Sequence, residues 1–182
     1  MTVSFMQARD FQPYTLPLTR LRFYLLTCLF VAGNLLFPLL VHQIPQGGKI
    51  LLPIYFFTLI AAYRFGWMMG LTTAVLSVFF NHVLTGMPPA ALLPVILVKS
   101  LILAFAAAWI ANRTQKISLL HLAAVVAAYQ AAGGVFEWLY TGSLMAALSD
   151  IRMGLPGILV QIIAGYLLLT WQNRRLDRSG AV

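Results

Sequence analysis

Apolar runs alternate with short polar or turn-forming segments along the whole chain. Six such runs follow one another, and the segments between them are rich in Gly, Pro, Asn and Arg. A helix needs ~20 predominantly apolar residues to cross a ~30 Å hydrocarbon layer. The pattern therefore predicts an all-α integral membrane protein with six transmembrane helices in one compact bundle. The runs cover residues 21–41, 50–63, 68–83, 91–111, 119–139 and 156–171.

The second and third runs lie close together, and their combined length requires a break. One continuous helix over residues 50–83 would have 34 residues. Such a helix would be roughly 51 Å long at about 1.5 Å per residue, which exceeds the hydrocarbon thickness. We therefore expect two short helices joined by a tight turn at Arg64-Phe65-Gly66-Trp67.

The composition places this bundle in a membrane. Of the 182 residues, 61% are hydrophobic and only 9% are charged, whereas a soluble domain usually has about 25% charged residues. We predict an N-terminal tail over residues 1–20, a membrane domain over 21–172 and a C-terminal tail over 173–182. A longer, more polar connection is expected over residues 142–154, and the single cysteine, Cys28, excludes a disulfide framework within the chain.

The net charge of +8 is a topology signal. Nine of the twelve Lys and Arg residues lie on the side of the two tails and of the loops after the second and fourth helices, with Arg22 at the very start of the first helix. Cytoplasmic loops carry an excess of positive residues, so both termini are predicted to be cytoplasmic, in a multi-pass protein of the cytoplasmic (inner) membrane. The charge then requires no nucleic-acid partner. The nine residues are Arg9, Arg20, Arg22, Arg64, Arg113, Lys116, Arg174, Arg175 and Arg178.

Few polar side chains lie within the predicted spans, and most of them fall in the outer half of the bundle. Lys99 lies about nine residues into the fourth helix, roughly 13 Å deep, and Glu137 lies near the outer end of the fifth. Ionisable residues in hydrocarbon cost several kcal/mol and usually mark a cavity, a pathway or a partner. We therefore predict a polar pocket that opens outward. The other polar residues of this half are Asn34, Asn81, His82, Gln130 and Gln161.

These residues also have a purely structural interpretation. Lys99 and Glu137 would then form a buried pair that only holds helices together, and His82 would cap a helix end. Pro38 cannot donate a hydrogen bond to the carbonyl of Asn34, so the two residues would mark a kink that a neighbouring helix repairs. The sequence leaves both interpretations open.

Sequence patterns of hydrolytic and nucleotide-driven enzymes are absent. The chain has no His-Glu-x-x-His, no Gly-x-Ser-x-Gly and no phosphate-binding Gly-Lys-Ser/Thr loop. We therefore expect no enzymatic activity and no intrinsic cofactor. Six helices without an internal repeat are also few for an autonomous secondary transporter.

Three segments resemble those of a known family in their order and spacing. Leu51-Leu52-Pro53-Ile54-Tyr55-Phe56-Phe57 is followed by Gly66-x-x-x-Gly70 and by Thr85-Gly86-Met87-Pro88-Pro89. Together they resemble the substrate-binding S component of energy-coupling factor (ECF) transporters, over essentially the whole chain. The resemblance implies high-affinity binding of a vitamin or related micronutrient in an outward-facing cavity. It also implies inward release against a coupling protein that is driven by two ATPases.

The resemblance further implies which residues bind the substrate. The first outer loop, with Gly47 and Gly48, would be a lid, because paired glycines can hinge without strain. The implied substrate-binding residues are Asn34, Lys49, Tyr55, Asn81, His82, Met87, Lys99, Gln130, Glu137, Trp138 and Gln161.

The substrate and the need for partners stay open. The chain is also similar to a solitary cobalamin-uptake type, so cobalamin or a related corrinoid is the first substrate prediction, with His82 as a speculative axial ligand to cobalt. Lys99 would instead suit an anionic vitamin such as biotin, pantothenate or lipoate. The family's Ala-x-x-x-Ala docking pattern is replaced by Ala32-Gly33-Asn34-Leu35-Leu36. A structural or scaffold membrane protein, in which the polar residues only bind partners, is the alternative of a different class.

Overall fold

Helices make up most of the chain in the computed structural model. It describes the backbone of residues 9–41, 43 and 45–179, and their side chains except those of Arg9, Lys49 and residues 176–179. The described elements are, in chain order, strand β1 (Arg9–Asp10), helix α1 (Leu21–Val41), helix α2 (Gly47–Leu51), a 3-10 turn (Pro53–Tyr55), helices α3 (Phe56–Phe65) and α4 (Trp67–Thr85), a second 3-10 turn (Ala90–Leu92), helix α5 (Leu93–Thr114), strand β2 (Lys116–Ile117), and helices α6 (Leu119–Thr141), α7 (Leu144–Met153) and α8 (Leu155–Ser179).

Five of the described helical segments are long and apolar enough to cross a membrane. Large apolar side chains such as Leu25 and Leu139 are exposed on the outside of these helices, where lipid would cover them. The prediction of a compact all-α membrane protein is confirmed at this level. The five segments are Leu21–Val41, Trp67–Thr85, Ala90–Thr114, Leu119–Thr141 and Leu155–Arg175.

The second apolar run, predicted as one helix over residues 50–63, is interrupted. Helix α2 ends at Leu51, Leu52 adopts a left-handed conformation with a φ of 48°, and a 3-10 turn leads into α3. The cause is Pro53, because proline has no N–H to donate and disfavours the α conformation of the residue before it. Helix α3 therefore has only 10 residues and is not one of the five long segments.

Helix α3 forms the centre of the bundle. Residues 59–63 are completely buried, and α1, α4, α5 and α8 pack around them. Gly66 ends the helix with a φ of 85° and a ψ of 178°, a region of backbone space that is essentially restricted to glycine. The chain therefore turns directly into α4, and the predicted tight turn is confirmed.

The N-terminal segment meets α3, β2 and α8 at one end of the bundle, which we call the terminal end. Strand β1 pairs antiparallel with β2, and the N–H of Tyr14 donates to the carbonyl of Arg64 at 2.9 Å. Asn173 Nδ2, near the end of α8, donates to the carbonyl of Asp10 at 3.2 Å. The Arg64 guanidinium lies 4.9 Å from the centre of the Phe11 ring. This part of the predicted N-terminal tail is thus packed against the bundle.

The polar connection expected over residues 142–154 contains a helix, α7. Gly142 ends α6 in the left-handed conformation with a φ of 67°, and Ser143 then caps α7 by accepting a hydrogen bond from the N–H of Ala146 at 3.2 Å. Serine is a preferred N-cap because its side chain satisfies an N–H that lacks a helical partner. The connection between the fifth and sixth predicted spans is therefore mostly helical, a feature that the sequence analysis did not predict.

Gly70 allows helices α3 and α4 to approach closely. A Cβ atom at this position would lie 2.5 Å from the Cβ of Ala62 and 3.1 Å from that of Ala104. We expect Gly70→Ala to lower the free energy of unfolding by about 1–3 kcal/mol, since both neighbours belong to packed helices. Thermal unfolding in detergent measures the effect. Gly165→Ala is the matched control, because its Cβ would meet Leu59 at an ordinary 3.5 Å. Equal loss in both variants would contradict the close approach at Gly70.

Candidate functional site

A cavity of about 500 Å³ opens at the end of the bundle opposite the terminal end. We call this the cavity end. Its walls come from the end of α1, α2, the first 3-10 turn, the loop after α4 and the start of α5, while α6 and α7 supply single charged side chains. Most of the wall is apolar. The apolar lining residues include Pro38, Leu52, Ile54, Leu92, Val95 and Ile96.

Three charged side chains meet at this cavity. The Lys99 ammonium of α5 donates to Glu137 Oε2 of α6 at 2.6 Å and to Asp150 Oδ2 of α7 at 2.5 Å. The side chain of Lys99 is only 2% exposed and that of Glu137 is 9% exposed, whereas that of Asp150 is 25% exposed. We call these three residues the charged triad. It connects three helices and forms part of the cavity wall.

The sequence of α6 makes room for the lysine. Gly133 lies one helical turn before Glu137, and a Cβ atom at position 133 would overlap the Cγ of Lys99. The aliphatic stem of Lys99 therefore crosses α6 at a residue without a side chain. Its ammonium group then reaches the carboxylate that the same face of α6 presents one turn later.

The charged triad carries one more negative than positive charge when all three groups are ionised. Lys99 has three N–H donors, and the two carboxylates occupy two of them. Lys99 therefore attracts an anionic ligand only weakly, because the two carboxylates beside the ammonium group repel that ligand. The geometry thus weakens the argument that Lys99 would favour an anionic vitamin.

Tyr55, Asn81 and Met87 line the cavity as the resemblance implies. The Tyr55 ring packs on that of Tyr129 with centroids 5.2 Å apart, and its hydroxyl has no hydrogen-bond partner among the described residues. Asn81 Nδ2 donates to the carbonyls of Asn34 and Ser77 at 2.9 and 2.8 Å. Its side-chain oxygen accepts no hydrogen bond within the described chain. The Tyr55 hydroxyl and the side-chain oxygen of Asn81 are therefore available to form hydrogen bonds with a ligand.

Asn34 lies behind the cavity wall and does not line it. Its Nδ2 donates to the hydroxyls of Thr58 and Ser77, both at 3.0 Å, and its Oδ1 accepts from the N–H of Phe57 at 3.1 Å. The carbonyl that Pro38 leaves without a helical donor is the one that Asn81 satisfies. A neighbouring helix therefore satisfies the freed carbonyl, as the structural interpretation of Asn34 and Pro38 expects.

Four other predicted residues also lie outside the cavity lining. His82 Nδ1 is 2.8 Å from the carbonyl of Pro88, so this side chain holds the turn whose prolines line the cavity. Gln161 accepts from the Tyr129 hydroxyl at 3.0 Å and donates to the carbonyl of Leu52 at 3.3 Å. The remaining two are Gln130, which donates to the Tyr129 hydroxyl, and Trp138, which is 43% exposed.

The predicted lid contains a short helix and packs against the end of α1. The loop begins with Gln46 in a left-handed conformation, and Gly47 starts the short helix α2. A Cβ atom at Gly47 would overlap the carbonyl oxygen of Val41, so the glycine allows close packing here. The side chain of Lys49, another predicted binding residue, lies outside the described part of the chain.

Sequence reasoning missed Asp150 and the apolar walls. Asp150 lies in α7, which was predicted as a connection, although it is one of only four acidic residues in the chain. That scarcity was the available signal. The apolar lining residues have no such signal, because lipid-facing and cavity-facing side chains have the same composition. Across the described residues, no group of three or more His, Cys, Asp and Glu side chains could hold a metal ion.

Comparisons of the chain with known protein families, with characterised proteins and with solved structures find no match. The cavity, its charged residues and the topology of the chain are therefore the basis for a functional assignment.

Proposed function

We propose that this protein takes up a small nutrient across the cytoplasmic membrane, as the substrate-binding S component of an ECF-type transporter. The observation that carries the proposal is the cavity of about 500 Å³ at the end of the bundle away from the terminal segments. A concave, mostly apolar site with a few convergent polar groups is the usual form of a small-molecule site, and such sites measure ~300–1,000 Å³.

The proposed topology has six crossings, the second of which is the interrupted segment from Gly47 to Phe65. This segment begins beside the cavity. Near its other end, the Arg64 guanidinium donates to the carbonyl of Gln12 in the N-terminal segment at 3.0 Å. Irregular backbone at membrane depth is tolerated where it is buried in protein or lines a cavity. The buried α3 and the cavity-lining 3-10 turn satisfy both conditions.

The charge distribution supports cytoplasmic termini. Arg64, Arg113, Lys116, Arg174 and Arg175 all lie at or next to the terminal end, and positive residues are enriched on the cytoplasmic side. The cavity would then open to the outside, which is the orientation that uptake requires. A pure scaffold has no evident need for a cavity that is lined by charged groups.

The size of the cavity favours a substrate of ordinary vitamin size. Cobalamin, the first substrate predicted from the resemblance, is much larger than the drug-sized ligands that such cavities enclose. His82, its predicted axial ligand, does not line the cavity. We therefore place a smaller vitamin or related micronutrient ahead of a corrinoid. The proposal covers two modes of uptake. The protein either works with a coupling protein and two ATPases or transports alone.

The topology predicts which single cysteines a membrane-impermeant maleimide reaches from outside. In a Cys28→Ser background, we expect Ser149→Cys to react in intact cells, because Ser149 is exposed on α7 at the cavity end. Lys116→Cys, exposed at the terminal end, should react only after permeabilisation. Labelling of Lys116→Cys from outside, or of Ser149→Cys only after permeabilisation, would refute the proposed orientation.

Filling the cavity should abolish ligand binding. Val95 is 3% exposed and lines the cavity, so Val95→Phe would place a larger ring in the space of the ligand. We expect a vitamin-sized molecule to co-purify with the wild-type protein and to be absent from this variant by native mass spectrometry. An absorption spectrum of the same preparation would identify a corrinoid by its visible bands.

The matched control is Val135→Phe on α6, because Val135 is 54% exposed and does not line the cavity. We expect this variant to keep the bound molecule and to take up labelled nutrient as the wild type does. The proposed function fails if no vitamin co-purifies with, or thermally stabilises, the wild-type protein. It also fails if both phenylalanine variants behave alike.

A further inference from the structure

We infer that the substrate carries a positively charged nitrogen, which binds in the cavity beside Glu137 and Asp150. This inference rests on the proposed function, because it names the class of substrate that the same cavity would bind. It starts from the charged triad, in which one ammonium group faces two carboxylates within 2.6 Å.

The excess negative charge is the first reason. Only four acidic residues occur in the chain, and two of them converge on the one lysine of a long span. One carboxylate would be enough to neutralise that lysine. The side chains of Glu137 and Asp150 are 9% and 25% exposed, and a partly buried charge without a partner is unfavourable. A ligand that brings one positive charge would neutralise the ionised triad, whereas a ligand with a negative charge would double the imbalance.

The unused hydrogen-bonding atoms are the second reason. Lys99 bonds one oxygen of each carboxylate, so Glu137 Oε1 and Asp150 Oδ1 have no hydrogen-bond partner within the described residues. The side-chain oxygen of Asn81 is a further acceptor without a described donor. Among the described side chains of this wall, these three acceptors face two unused donors, the Tyr55 hydroxyl and the third N–H of Lys99, so acceptors are in excess. A ligand that supplies N–H donors or a positive charge matches such a wall.

The remaining wall defines the rest of the ligand. Ile54, Val95 and Ile96 present apolar side chains to the same cavity, and Tyr55 adds an aromatic ring. A bare metal ion would leave these surfaces without a contact, and two carboxylates provide few ligands for it. A compact organic cation, with an apolar or aromatic body, uses both the charged and the apolar walls.

The test compares vitamins of different charge on the wild-type protein in detergent. The probes are thiamine and 1-methylnicotinamide as cations, nicotinamide and pyridoxine as neutral compounds, and nicotinate, biotin and pantothenate as anions. Titration calorimetry and thermal stabilisation measure binding, and mass spectrometry identifies any molecule that co-purifies. We expect the tightest ligand, whether added or co-purified, to be a cation.

Asp150→Asn tests the role of the carboxylates in this binding. We expect it to weaken binding of the cation by about 10- to 100-fold, because one charge-assisted contact is lost. Asp150 is the most exposed member of the charged triad, so this variant perturbs folding least, and Glu137→Gln provides a second case. The matched control is Asp10→Asn at the terminal end, because the Asp10 side chain makes no hydrogen bond or ion pair among the described residues, whereas its backbone pairs with Lys116 and accepts from Asn173. This control should leave affinity unchanged.

The outcomes separate this inference from the proposed function. If a neutral or anionic compound binds most tightly and Val95→Phe abolishes its binding, the cationic substrate is refuted and the uptake function stands. Unchanged cation affinity in both Asp150→Asn and Glu137→Gln also refutes the inference. If nothing binds or co-purifies, the proposed function and the inference both fail.

Discussion

The ion pairs of Lys99 determine how the cavity end of the bundle is built. A buried ammonium group requires carboxylate partners, and here they come from two different helices. Removing one partner of a buried pair typically costs roughly 3–5 kcal/mol. The lysine thus fixes α5 against α6 and brings the short helix α7 over the bundle, and Gly133 supplies the space for its stem. The same contacts that hold the helices together also place two carboxylates on the cavity wall.

The structural and functional interpretations of Lys99 and Glu137 are therefore compatible. The pair does hold helices together, as the purely structural interpretation expects. Yet Asp150 adds a second carboxylate that neutralisation of the lysine does not require. Because the triad borders a cavity with apolar walls, its excess charge faces a space where a ligand can compensate for it. The same atoms thus form a structural contact and the site that we propose for a cation.

Sequence reasoning predicted what depends on local rules and missed what depends on tertiary contacts. The limits of α1 and the turn at Gly66 follow from apolar length and from a conformation that glycine alone favours. Pro53 also indicated the break at Leu52, but residues 50–63 form a continuous apolar run and were therefore predicted as one helix. Asp150 was missed because its partner lies 51 residues earlier in the chain, and no local pattern reports such a contact. Tyr55, Asn81 and Met87, which the resemblance implied as substrate-binding residues, line the cavity, and their binding role stays a prediction.

The polar residues predicted for the pocket fall into two groups, amides that satisfy backbone carbonyls and carboxylates that line the cavity. The first group is needed because lipid supplies no hydrogen bonds. Every backbone group that a proline leaves without a partner must be satisfied within the protein. Asn81 serves the carbonyl freed by Pro38, and Gln161 serves the carbonyl of Leu52 at the break before Pro53. Amide side chains at this depth are therefore needed wherever the helices are interrupted. Those interruptions in turn shape the cavity, since both prolines line it. Amides near the cavity thus chiefly maintain its irregular wall, whereas the carboxylates provide its charge.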